Sequence, residues 1–179
     1  MTATRLAAAA AMLALGLPVY AQHAQPYSGQ QARSIKALSE DDVKQYLNGA
    51  GMGYARAAEL NRFPGPMHVL ELADKLSLTG AQRSQTESLM AAHKAEARQL
   101  GHKVVEAERA LDALFRSERV GEKDLALHVS AVAQAQAGYR LSHLETHRRM
   151  RALLTPRQVA RYDELRGYAQ TAAEPAHKH

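Results

Sequence analysis

From Thr79 to about Ser117 the chain keeps a helical pattern without a proline. That is roughly 39 residues, or about 58 Å of helix at 1.5 Å per residue. After a break around Arg119-Val120-Gly121, a second such stretch runs from about Glu122 to Leu153. A connection this short forces the two helices to lie antiparallel and side by side. The composition agrees. With no Trp and two Phe the chain cannot build a thick aromatic core, and its Ala, Leu, Glu, Gln, Arg and Lys content suits long helices with thin interfaces. Strand-like alternation is essentially missing. The expected fold is all-α: a long antiparallel helical hairpin with shorter flanking helices, about four in total.

Helix starts are written explicitly. In Leu78-Thr79-Gly80-Ala81-Gln82 the Thr79 hydroxyl can accept from a first-turn amide while Gln82 reaches back to the Thr79 amide, a capping box. The same signal returns in Leu154-Thr155-Pro156-Arg157-Gln158, with Pro156 at the first helical position, where a missing amide costs nothing. From there a last helix is expected to run to about Tyr168. Ser39 before Glu40, Asp41 and Asp42 predicts a further helix start, and Asn48-Gly49 its end. The glycines that follow resemble a nucleotide loop only superficially, since no strand precedes them and no Gly-Lys-Ser/Thr follows. Pro64-Gly65-Pro66 breaks the chain, and residues 67–76 predict a short amphipathic helix with Met67, Leu70 and Leu76 on one side.

The first 21 residues, Arg5 followed by an Ala/Leu/Met run and ending in Val19-Tyr20-Ala21, read as a secretory signal peptide cleaved near Ala21. The run is too short for a stable membrane span; an uncleaved anchor is the alternative. Residues 22–37 read as a flexible leader, 38–170 as the helical domain and 171–179 as a disordered tail. There is no cysteine, so no disulfide framework is available and packing or a metal must hold the fold. Once Arg5 leaves with the signal, 22 Lys and Arg face 18 Asp and Glu, a net of +4. That suits acidic partners, but it is too mild for nucleic acid and no aromatic-interleaved basic patch exists to stack bases.

Projected at 100° per residue, each long helix carries one stripe that is apolar near the hairpin turn and polar toward the open end. If antiparallel partners sum to about 240, His147 lies level with His93, and His143 with Glu96 or Ala97. Met150 sits one turn further, and His68 joins if its helix folds back. Imidazole and carboxylate suit Zn, Ni or Co, and the thioether of Met150 would favour Cu. The same histidines also fit a buried or dimer-facing His/Glu network, or a wet region where the hairpin splays.

Two Leu-Thr-x-x-Gln motifs flanking a long helical hairpin, behind a signal peptide and without cysteine, resemble the CpxP/Spy family of small periplasmic proteins, with its ZraP and CnrX metal-responsive relatives. The resemblance covers roughly residues 38–170. It implies a helical fold that often forms a cradle-like homodimer. It also implies a role in envelope stress, as an ATP-independent chaperone, as an adaptor of a membrane sensor kinase, or as a binder of Zn, Ni, Co or Cu. The CnrX-like pattern has a His four residues before a Met on the last long helix. Here Thr146 holds that place before Met150, so the relatives' metal site does not carry over directly.

Under the chaperone reading, unfolded envelope proteins would be held on an apolar and basic surface to which Arg98, Lys103, Arg109, Arg140, Arg148, Arg149 and Arg151 contribute, long stems covering apolar area. No cofactor is then required, and a divalent ion is needed only under the metal reading. Enzyme readings fare poorly. No Ser/His/Asp set is readable, and the zinc-protease pattern HExxH fails because Leu144 follows His143 and Glu145 points about 200° away from it.

Overall fold

A computed structural model describes residues 25–169. The expected signal peptide over residues 1–21 and the tail over residues 171–179, with its His177 and His179, lie outside them. The chain divides into two compact units, Met1–Gln31 and Ala32–His179. Of the first, residues 25–31 are described: turns in which Gln30 Nε2 donates to the Pro26 carbonyl at 3.1 Å.

The second unit is all-helical among the described residues: α1 Glu40–Asn48, α2 Arg56–Glu59, α3 Pro66–Glu71, α4 Gly80–Arg116, α5 Glu122–Leu153 and α6 Pro156–Arg166. The long pair begins and ends within a residue of expectation, because both α4 and α6 start at capping boxes that form as written. Thr79 and Thr155 accept from the amides of Gln82 and Gln158, whose side chains return to the Thr amides at 3.0 and 2.9 Å. Ser39 and Asp42 form a third box on α1, and Gly49 closes that helix at φ 68°.

The two threonine boxes do more than start helices. Gln82 Nε2 donates to Gln158 Oε1 at 2.9 Å, and Gln158 Nε2 donates to Gln82 Oε1 at 3.0 Å. Gln82 Nε2 also reaches the Leu153 carbonyl at 2.9 Å, and Gln158 Nε2 the Leu76 carbonyl at 3.3 Å. The repeated motif therefore clasps the start of α4 to the start of α6 and satisfies carbonyls that the chain breaks leave open.

Around this clasp lies one core cluster, with Val69, Leu76, Leu89, Met150, Leu154, Val159 and Tyr162 buried. A second cluster sits midway along the hairpin, where Ile35, Leu38 and Tyr46 pack on Val104, Val105 and Tyr139. The close approach of α1 depends on Gly101: a Cβ there would lie 1.9 Å from the Tyr46 carbonyl oxygen. Tyr46, Tyr54 and Tyr139 meet edge-on or tilted, with ring centroids 5.2 to 6.4 Å apart.

Three expectations change. Ile35, assigned to the flexible leader, is 1 % exposed, and the Lys36 amide donates to Asp112 Oδ1 at 3.1 Å. The packed domain therefore reaches back past residue 38. The amphipathic stretch after Pro66 is helical only to Glu71 and then continues in turns, which changes its inward face. Val69, Ala73 and Leu76 are buried, while Met67 is 49 % exposed. Finally, the open end of the hairpin does not splay into water, because α3 and α6 close it through the cluster around Met150.

Candidate functional site

The histidines gather where α3, α4 and α5 meet the loop after α1. A cavity of about 510 Å³ is lined there by His68, His93, His143 and His147, by residues 48–53, and by Glu59 and Arg166.

The register across the hairpin differs from expectation by about one turn. His143, rather than His147, meets His93: the rings lie edge to face with centroids 4.6 Å apart. Near the turn Gln136 Nε2 reaches Glu108 Oε1 at 3.3 Å, whereas at the histidines Ser142 faces both His93 and Glu96. Side chains reach up or down the helices to their partners, so no single antiparallel sum captures all of these contacts.

His143 is 4 % exposed, and its Nδ1–H donates to the Tyr139 carbonyl at 2.9 Å, leaving Nε2 buried without a partner. Burial keeps this ring from protonating, lowering its pKa. His93 is pushed down to about 4, by burial first and then by the imidazoles of His143 and His147. Ser142 Oγ donates to Glu96 Oε2 at 3.1 Å and lies 3.4 Å from His93 Nδ1. His147 turns away from this pair. Its Nδ1–H donates to the Phe63 carbonyl at 2.8 Å, and the same nitrogen lies 3.5 Å from Glu59 Oε2.

Glu59 is the hub of the opposite wall. It accepts from the Tyr162 hydroxyl and from the Gly65 amide, the latter at 3.0 Å. His68 Nδ1 and Arg166 Nε lie 3.7 and 3.8 Å from Oε1, the oxygen that accepts from Tyr162. Burial first, and then the bond to Glu59, raise the Tyr162 pKa, so the phenol stays protonated.

The expected ligand set is thus divided. His93, His143 and His147 share one cavity with His68, but Glu96 serves Ser142, and Met150 is fully buried in the cluster around the clasp. Among the described residues no three His, Asp or Glu side chains converge to hold one ion. The residues do not fit a four-ligand metal centre as they stand.

The basic residues expected to line a client surface are spread round the helices. Arg98, Lys103, Arg109, Arg140, Arg148 and Arg149 are exposed and Arg151 is half-buried. Arg109 pairs with Glu106, and Arg148 pairs with Glu145 at 2.6 Å. None of the seven reaches the histidine cavity, whose cations are Arg56, Lys94 and Arg166. Sequence reasoning missed these three and Glu59. Glu59 lies in a stretch with no periodic pattern, so nothing in the sequence signalled it.

A family model described as LTXXQ motif family protein matches residues 66–166, more than half of the chain and a span that holds both clasped motifs. The chain belongs to the LTXXQ motif family. This agrees with the resemblance to CpxP/Spy proteins drawn from Leu78–Gln82 and Leu154–Gln158. LTXXQ proteins are typically periplasmic, and among the described residues no helix is long and apolar enough to cross a membrane. No curated protein sequence and no solved structure matched the chain.

Proposed function

We propose that this LTXXQ protein is exported to the periplasm by a signal peptide over residues 1–21 and there holds unfolded envelope proteins without ATP. It acts by binding rather than by catalysis, and as a homodimer. The observation that carries this reading is the bare arm of the hairpin. From Arg109 to Gly138, through the end of α4, the turn and the first half of α5, no residue is buried. Phe115, Leu127 and Val129 are 55 %, 66 % and 49 % exposed on that arm, interspersed with Arg109, Arg116, Arg119 and Lys123.

Apolar side chains held in water on a rigid two-helix support mark a surface meant to be covered. The arm's four cations are balanced by Asp112, Glu118, Glu122 and Asp124, so its contacts are apolar rather than charge-directed, and the shallow exposure favours weak contacts that release without an energy source. The same arm would serve an adaptor that docks on a membrane sensor kinase. The two roles separate in one assay: light scattering of a chemically unfolded client, with and without the protein and without ATP. Suppression of aggregation at molar ratios near one supports the chaperone. Unchanged scattering at tenfold excess rejects it.

A second reading, a periplasmic sensor or buffer for Zn, Ni, Co or Cu, is favoured by one observation, the buried and unpartnered Nε2 of His143 beside His93. Two imidazoles are half of a tetrahedral set, so the remaining ligands would have to move in. Calorimetric titration with each metal tests it. Binding weaker than about 10 μM, or binding unchanged in a His93→Ala/His143→Ala variant, rejects the metal site.

A further inference from the structure

We infer that the histidine cavity is a binding site for a small amphipathic anion, an apolar body carrying a single acidic head group. This site is separate from the client arm. Its volume of about 510 Å³ falls within the roughly 300–1,000 Å³ of small-molecule sites.

The apolar part of the lining comes from four different elements. Met52 follows α1, Leu60 follows α2, Met67 belongs to α3 and Met90 to α4. Three of the four are methionines, whose unbranched and polarizable side chains adapt to more than one apolar shape. Met67 and Leu60 are 49 % and 57 % exposed, so this apolar surface is left uncovered by the rest of the domain.

The charged part is unbalanced. Arg56, Lys94 and Arg166 all line the cavity, and Glu59 is the one carboxylate among its lining residues. Glu59 is already committed to the Tyr162 hydroxyl and the Gly65 amide. Arg56 and Lys94 have no acidic partner among the described residues. Arg166 is already engaged, its Nε 3.8 Å from Glu59 Oε1 and its guanidinium donating to the Tyr168 hydroxyl at 3.1 Å, so Arg56 and Lys94 are the cations left to meet a ligand. Cations without a carboxylate partner at the mouth of an apolar cavity favour an anionic oxygen there. Adaptable apolar walls and a positive rim describe a site for a fatty-acid-like carboxylate, or for an alkyl phosphate of the same length.

The test uses the whole protein and calorimetry with decanoate, decyl phosphate and decanol, each below its aggregation concentration. The expected result is saturable one-to-one binding of one or both anions, at least tenfold tighter than decanol. Preference for decanoate or for decyl phosphate identifies the head group. An Arg56→Glu/Lys94→Glu variant, altered only at exposed rim positions, should keep its helical circular dichroism and lose at least tenfold in affinity. A Met67→Asp variant should lose affinity through the apolar wall. Equal binding of decanol, unchanged affinity in the rim variant, or no saturable binding would each overturn the inference. Displacement of decanoate by a neutral apolar peptide would overturn it too, by giving the cavity to client chains.

Discussion

Gln82 and Gln158, 76 residues apart, exchange hydrogen bonds in both directions while each also closes the capping box of its own helix. The family motif is thus a single structural device used twice. Replacing Gln82 by Ala removes its bonds to the Thr79 amide, the Leu153 carbonyl and Gln158. At about 1 kcal/mol for each of these three bonds, Gln82→Ala should cost about 3 kcal/mol of stability. Gln158→Ala should cost a similar amount. The double variant should cost less than the two combined, because the shared bond is lost only once, and urea midpoints of the four proteins give the coupling.

Gly101 sits where α1 crosses α4, and the obstacle to a larger residue is backbone rather than a movable side chain. Gly101→Ala should therefore displace α1 and cost about 3 kcal/mol, despite the higher helix propensity of alanine. The near-ultraviolet circular dichroism of Tyr46 and Tyr139, whose rings pack edge to face at 5.2 Å, should weaken in parallel.

The buried imidazoles give stability a defined pH dependence. His93 titrates near 4 in the folded chain, below the ordinary imidazole value of about 6.5, and His143 is shifted the same way. A histidine whose pKa is depressed by folding stabilises the native state above its unfolded value, and that contribution is lost as pH falls. Stability should thus decline between about pH 6.5 and 4, His93 accounting for on the order of 1 kcal/mol between pH 7 and 5 once its partial exposure is discounted. His93→Gln should flatten the profile of urea midpoint against pH in that window.

The arm and the clasped end should differ in local stability. Residues 109–138 bury nothing fully, whereas the clasped end carries Leu89, Met150 and Tyr162 in a packed cluster. Amide exchange should be at least tenfold faster over residues 113–134 than over residues 86–105, measured by mass spectrometry near neutral pH. Equal protection would mean that the arm is covered in solution.

Much of this fold was legible because its boundaries rest on local chemistry. Thr79, Thr155 and Ser39 cap as written, Gly49 stops α1, and the break before Glu122 turns the hairpin. The site was less legible. That histidines converge on one inner face followed from periodicity, but which of them meet depends on the exact register of α4 against α5, which the sequence does not encode locally. A register one turn from the expected one places His143 rather than His147 opposite His93. Glu59 and Arg166 come together only through the tertiary packing of α2 against α5 and α6, and no local pattern encodes it. Ile35 was misread for a related reason: one apolar residue in a polar stretch carries no periodic signal, yet it packs in the core beside Leu38 and Tyr46.

Under the proposed function the bare arm is the client surface. The direct measurement is client aggregation by light scattering, comparing the unaltered protein with a Phe115→Ser/Leu127→Ser/Val129→Ser variant. All three positions are exposed, so the variant should keep its helical content and its melting temperature within a few degrees. The account predicts that the unaltered protein suppresses aggregation at a molar ratio near one, and that the variant needs at least fivefold more protein for the same effect. Equal suppression by a folded variant would contradict it, and would move client binding away from the arm.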